Sequence, residues 1–429
     1  MRLFPRRLPE PYRIAAWFSL LRLETLICHE SHSQPNISFL HVKAITRHCL
    51  AMPTGELHML QPKKPFFAVL LTFCLSLFLF CGTAGAVHPE EKSEIENLKN
   101  RIEALEAEKD GPEDDADFDL GRINRYLTLH GLLEVEAFYA KPDEGEEESD
   151  LTLATAELAI EATLNQMVGG HLTLLYEEEE DAEDDLNVDE AVISLRSAGH
   201  VFNQTPALHF GRMYVPFGSF NSYMVSDSLT LELGETRNTA ALFALEGDFW
   251  SLALGTFNGD VDAAGDNDNL DSWVAALQFS LGENLAFGGS YLSDLAESDI
   301  GLVQDASLYT ESVPAASAFV SGRYGQFGFE AEYLAALEDF DADVVLIGED
   351  LTGDQPQSYN LELAWMISER MQAAGRYEKA KDFLEDMQRF GGTISYGLFG
   401  HMVVALEYLR TETDTQDSDT LTAQLALEF

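Results

Sequence analysis

Leu421-Thr-Ala-Gln-Leu-Ala-Leu-Glu-Phe429 closes the chain on an unbroken period of two. Leu421, Ala423, Leu425, Leu427 and Phe429 share one face, with Thr422, Gln424 and Glu428 on the other. Successive strand side chains point to opposite faces, so this is a strand with one apolar and one polar side. The dyad recurs at Tyr359-Asn-Leu-Glu-Leu-Ala-Trp-Met-Ile367, from Phe327 to Tyr333 and from Trp273 to Leu281. Alternation over about ten residues suits either a half-buried soluble sheet or a strand crossing an outer membrane.

The connections separate these two. Sixteen strands are predicted, beginning near Tyr126, Leu151, Gly170, Leu186, Ala207, Thr239, Trp250, Trp273, Leu285, Ala315, Phe327, Ser358, Met371, Arg389, Met402 and Leu421. Every second connection is long, and most of the long ones are strongly acidic. Examples are KPDEGEEESD (141–150), EEEEDAEDD (177–185), NGDVDAAGDNDNLDS (258–272), KAKDFLEDMQ (379–388) and TETDTQDSD (411–419). Most of those between are tight: GDF, LGEN, GQ, SER and LFG. Long outer loops, short inner turns and an even strand count mark an outer-membrane barrel, and a soluble sandwich has no reason for the asymmetry. The expected fold is all-β, a transmembrane antiparallel up-and-down β-barrel of sixteen strands over residues 126–429. Its expected setting is the bacterial outer membrane, in contact with lipid and lipopolysaccharide.

Charge and cysteine placement agree. The 429 residues carry 74 Asp and Glu against 26 Lys and Arg, a net charge of −48. Such a chain repels a phosphate backbone, which excludes nucleic acid as a partner. All four cysteines (Cys28, Cys49, Cys74, Cys81) precede Val87. The remainder therefore has neither disulfides nor thiolate metal sites.

The segments before the barrel read in order. Residues 59–86 run MLQPKKPFFAVLLTFCLSLFLFCGTAGA, with Lys63 and Lys64, an apolar stretch from Phe66 to Phe80, and Ala84-Gly85-Ala86. This is the layout of a cleaved secretory signal peptide. Residues 1–58 then read as an upstream extension from a start codon placed too early. Within 87–110, Ile95, Leu98, Ile102 and Leu105 alternate three and four apart, the seam of a short periplasmic coiled coil. An amphipathic helix lying on a neighbour is the alternative. Ile and Leu at these positions lean towards a dimer, but an attached barrel could impose a trimer, the homo-oligomer expected here. Residues 111–125 form an acidic linker.

Parity assigns the barrel faces. Arg or Lys on the lipid face at mid-bilayer costs roughly 2–4 kcal/mol, so the apolar parity points out. The lumen then receives Glu134, Glu136, Glu157, Glu161, Arg196, Arg323, Glu330, Glu332, Glu362, Arg376, Arg389 and Glu407. A wide polar interior is a water-filled channel. Its acidic lining disfavours simple anions. A strip of Arg196, Arg323, Arg376 and Arg389 opposes this, since guanidinium binds carboxylates bidentately. Phe429 is the expected assembly signal, because the last strand must close the barrel against the first.

The third long connection differs from the others. Gly211-Arg-Met-Tyr-Val-Pro-Phe-Gly-Ser-Phe220 opens it and SDSLTLELGETRNTA (226–240) continues it. In sixteen-strand porins the third outer loop folds into the lumen and narrows it. Tyr214, Phe217, Phe220 and Tyr223 would form that constriction, with Pro216 and Gly218 fixing the turn. A rim-packed outer loop is the alternative. Motifs for chemistry are missing: there is no H-E-x-x-H, G-x-S-x-G or phosphate loop. Asp260-Val-Asp262-Ala-Ala-Gly265 imitates a calcium loop, but Ala264 stands at a ligand position and no Glu closes it. His130 and His171 read as wall hydrogen-bonders. No catalytic residue, metal or cofactor is expected, and the protein reads as a non-enzyme.

The signal peptide, coiled coil, acidic linker, GRMYVPFG and SLTLELGETRNTA stretches and the terminal LALEF together resemble the LbtU-family siderophore porins. The G-R-x-x-x-P-F-G element is similar, more distantly, to the phosphate-selective porins O and P. The resemblance covers about residues 62–429. It implies an outer-membrane porin-like channel taking up iron-siderophore without a plug domain. The lysine-rich lumen of the phosphate-selective group is missing: after Lys109 the only lysines are Lys141, Lys379 and Lys381. Two other classes stay open, a general cation-preferring diffusion porin and a structural or adhesive envelope barrel.

Overall fold

The computed structural model describes residues 126–429 apart from 179–185, 260, 262–269, 304–308, 341–344, 347–348, 351–352 and 384–385. The extension, signal peptide, coiled coil and linker expected before the barrel lie outside the described residues, as does most of the broken calcium loop.

Sixteen strands close on themselves. In chain order they are β1 (Leu127–Pro142), β2 (Glu148–Asn165), β3 (Val168–Tyr176), β4 (Asn187–Arg196), β5 (Thr205–Tyr214), β6 (Arg237–Glu246), β7 (Trp250–Phe257) and β8 (Ser272–Ser280). Then follow β9 (Leu285–Leu292), β10 (Ala315–Tyr324), β11 (Phe327–Ala336), β12 (Gln357–Ser368), β13 (Met371–Lys381), β14 (Met387–Phe399), β15 (Met402–Thr413) and β16 (Ser418–Glu428). Each pairs antiparallel with its chain neighbours, and β1 closes on β16 with Leu133 opposite Leu427 and Val135 opposite Leu425. Closure satisfies every strand edge, which a sheet in hydrocarbon requires.

Burial follows the dyad. Leu133, Val135 and Tyr139 are exposed while Glu134 and Glu136 are buried. On β12, Leu361, Leu363 and Trp365 are exposed, and Asn360, Glu362 and Ala364 are buried. The exposed face also carries stacked rings: Trp273 with Tyr291 at 4.6 Å, and Phe279 with Phe287 at 5.4 Å. The apolar parity is thus outermost, as contact with lipid demands.

Three of the expected long connections are short. The first, seventh and eighth outer loops span only 143–147, 382–386 and 414–417, because the flanking strands run on. Lys141, Glu148, Lys379 and Lys381 sit on these extensions. Beyond the membrane both faces of a hairpin are wet, so the apolar dyad stops before the ladder does. The turn between β4 and β5 is longer than its counterparts, bridged by Val201 and Gln204.

The seam is held at the chain end. Phe429 N–H donates to the Gly131 carbonyl at 2.9 Å, and Gly131 N–H donates to the Phe429 carbonyl at 2.7 Å. The Phe429 ring lies over Gly131, where a Cβ would fall 2.3 Å from it. Removing Phe429 deletes both bonds and this cover. The folded fraction in the outer membrane should fall several-fold, read as heat-modifiable barrel on gels; unchanged levels would count against the seam's importance.

At the long-loop end an apolar core fills part of the mouth. Phe217, Leu229 and Leu233 of the third loop pack with Leu295, Tyr309 and Val313 of the fifth, Phe340 of the sixth and Phe383 of the seventh. Asp294 ties the fifth loop by accepting from Tyr309 Oη at 2.6 Å and Ala296 N–H at 3.0 Å. Burial pushes its carboxyl up to about 6 despite those bonds.

Candidate functional site

The third loop, Val215–Thr236, leaves β5 at the Gly211–Gly218 motif and enters the barrel. Both glycines answer a backbone demand. Gly211 has φ +138°, and a Cβ there would fall 1.9 Å from the Ala191 carbonyl of β4. Gly218 has φ +79°, and a Cβ would collide with the Phe220 ring. Only glycine takes such angles without strain.

The loop then runs along the inner wall, and its N–H groups are taken up one after another. Gly218 N–H donates to Ser290 Oγ on β9 at 2.9 Å. Ser219 and Phe220 donate to Glu332 on β11 at 2.7 and 2.8 Å. Tyr223 N–H donates to Glu362 on β12 at 2.6 Å, and Val225 N–H to Glu407 on β15 at 2.6 Å. Leu229 N–H donates to Glu378 on β13 at 2.8 Å. Leu229–Gly234 forms a short helix, α1, capped by Ser228. Bonds from N–H to carboxylate are among the stronger hydrogen bonds, and they compensate charges that burial would otherwise make costly.

Two arginines complete the anchorage. Arg376 on β13 donates from Nε to Glu362 at 2.8 Å. Its terminal nitrogens reach Ser226 Oγ at 3.0 Å, the Asp227 carbonyl at 2.9 Å and Ser222 Oγ at 2.6 Å. Arg389 on β14 donates to Glu232 of α1 at 2.7 Å. The loop that starts between β5 and β6 is therefore bonded to the wall formed by β9 to β15.

The aromatic side chains are placed differently from one another. Tyr214 is still in β5 and outside the crossing segment. Its hydroxyl donates to Asp189 at 2.7 Å, and Arg237 lies 5.7 Å above its ring while also bonding Asp189. Phe217 is 2% exposed and packs into the apolar mouth core. Pro216 and Phe220 border the open space beneath the loop. Tyr223 lies against Gly328 of β11. Burial, with Glu330 and Glu362 nearby, pushes its hydroxyl up to about 12.

The remaining inward side chains divide in two. Glu330 stands directly across from Glu362 in the β11–β12 pair. Arg196 bonds Glu246 at 3.3 Å, and Arg323 is exposed. With Arg376 and Arg389 bonded to the loop and Arg196 to Glu246, three of the four arginines of the expected strip are taken up by protein groups, and Arg323 is left exposed. On the far wall Glu136 accepts from Gln424 at 3.0 Å beside the buried Glu134, and Glu157 and Glu161 are partly exposed.

Several residues of the site escape a reading of the sequence. Glu378 shares the parity of Arg376 two positions earlier, and that spacing is the signal that finds it. Glu232 and Glu246 have no comparable signal. Ser194, His209 and Glu246 form a chain on β4, β5 and β6: Ser194 Oγ lies 2.9 Å from His209 Nδ1, and His209 Nε2 lies 3.4 Å from Glu246. The order resembles nucleophile, base and acid. Ser194 pairs with His209 across the β4–β5 ladder, and β5 pairs with β6, so the trio ties three neighbouring strands of the wall together. Among the described residues no group of three His, Cys, Asp or Glu is placed to hold a metal.

Solved structures share this architecture. No family model matches the chain. A UPF0422 protein of Coxiella burnetii is 26% identical over 249 residues, 55% of this chain and 52% of the relative. The chain thus spans about half the length of that relative, whose name mentions no siderophore. Among solved structures, the outer-membrane channel DcaP of Acinetobacter baumannii aligns with a TM-score of 0.53 at 13% identity, covering 71% of this chain and 97% of that one. The anion-selective porin of Comamonas acidovorans aligns with a TM-score of 0.52 at 12% identity, covering 71% and 99%. The chain has the fold of the outer-membrane porins.

Proposed function

We propose that this protein is an outer-membrane channel for small water-soluble solutes, narrowed by its third loop. The observation that carries the reading is the row of buried carboxylates, Glu332, Glu362, Glu407 and Glu378, each bonded to that loop's backbone N–H groups. A loop held this way occupies interior space that solutes must pass. In this reading the N-terminal segment is periplasmic and the barrel assembles as a trimer.

The channel prefers cations. β2 contains no Lys or Arg, and β1 contains only Lys141 near its loop end. Glu134, Glu136, Glu157 and Glu161 leave that wall acidic, and a low-dielectric passage lined with one sign of charge concentrates the opposite ion. In a tenfold potassium chloride gradient the reversal potential should lie on the potassium side. A value on the chloride side would contradict the acidic lining.

Within this class, the resemblance of the GRMYVPFG and SLTLELGETRNTA stretches supports an iron-siderophore cargo. Labelled ferric chelate uptake by a deletion strain, with and without the restored gene, tests that cargo apart from the channel; equal uptake by both removes it.

A further inference from the structure

We propose that the space beneath the third loop is a binding trough for a small solute carrying one aromatic ring and one positive charge. It rests on the channel reading only for how the solute arrives. A cavity of about 140 Å³ lies between the loop and the inner wall of β6 to β10. Ala244, Ala253 and Ala276 line that wall, and their small side chains recess it. Pro216 and Phe220 border the cavity from the loop, and Phe319 from β10.

Size sets the first limit. An apolar cavity of about 150 Å³ takes a benzene molecule, so this one holds a single six-membered ring. Phe220 and Phe319 offer edges and faces for offset or edge-to-face contact with it.

Charge sets the second. Glu190 and Glu246 also line the cavity. Glu190 meets His171 at 3.5 Å and Tyr214 N–H at 3.4 Å. Glu246 meets Arg196 at 3.3 Å and His209 at 3.4 Å. All four contacts lie beyond the usual 2.7–3.2 Å range, and a carboxylate has about four acceptor positions. Both groups keep capacity for a shorter bond to an ammonium. The same carboxylates repel an anionic ring. An ammonium without a ring leaves the apolar wall wet, so it gains little.

The test uses the folded barrel in detergent and isothermal titration with benzylammonium, methylammonium and phenylacetate. Benzylammonium should bind at least ten times more tightly than either of the others. Ala253→Phe fills the trough and should weaken benzylammonium at least tenfold, and Ala276→Phe serves where the first variant does not fold. Glu246→Gln should weaken benzylammonium while leaving neutral benzyl alcohol unchanged. Equal binding of the three probes, or undiminished binding by a folded trough-filled variant, overturns the proposal. A barrel that binds benzylammonium but passes no current would sink the channel reading alone, and a conducting barrel indifferent to benzylammonium would sink the trough alone.

Discussion

Replacing Arg376 by alanine is expected to raise the conductance of the barrel several-fold while leaving its strands paired. The guanidinium is buried and bridges Glu362 to three oxygens of the third loop. Its removal leaves Glu362 a buried carboxylate without its counter-ion and Glu378 with Arg389 alone, at 3.9 Å, a change that costs on the order of 3–5 kcal/mol. The loop is the part that can yield, because the antiparallel ladder around it is untouched, and water can then reach both carboxylates. Arg376→Lys keeps the charge but cannot make the fork of bonds, so its conductance should fall between the two. Deleting residues 219–233 should have the largest effect, with larger polymers admitted to the pore. Single-channel currents and polymer exclusion check this series; a folded Arg376→Ala barrel conducting as the parent does would detach the loop from any role in permeation.

Gly211→Val should abolish the folded barrel altogether. At φ +138° a branched residue is strained by about 1–3 kcal/mol. Its Cβ would also lie 1.9 Å from the Ala191 carbonyl, a backbone atom in the β4–β5 ladder that cannot swing aside. Gly218→Val meets a side chain instead, the Phe220 ring, and its strain falls on the loop. It should fold, with altered conductance. Heat-modifiable migration of the two variants separates scaffold from loop; a Gly211→Val barrel folding to parental levels would contradict the geometry.

The pattern of strands was legible because two solvents act on them. Lipid outside and water or loop inside force the dyad at Leu361–Trp365 and at Leu421–Phe429, and all sixteen strands follow from it. Strand ends were not legible, since Lys141 and Lys379 sit where both faces are wet and nothing in the period distinguishes ladder from loop. Tyr214 illustrates the same limit: pairing with Arg237 across the loop's base keeps it in β5. The inward glutamates could be read from parity, but not what they bind. Ser219 and Glu332 stand 113 residues apart, and no local signal joins an N–H of a loop to a carboxylate on a distant strand. The two glycines of the GRMYVPFG stretch were the nearest to such a signal, because each marks a backbone angle that the loop's entry requires.

Single-channel recording of the parent barrel in planar bilayers addresses the central claim most directly. The account predicts discrete current steps, smaller than those of the barrel lacking residues 219–233 and closed to polymers which that variant admits. Inserted barrels that pass no current, or that conduct and exclude polymers as the shortened variant does, would contradict it.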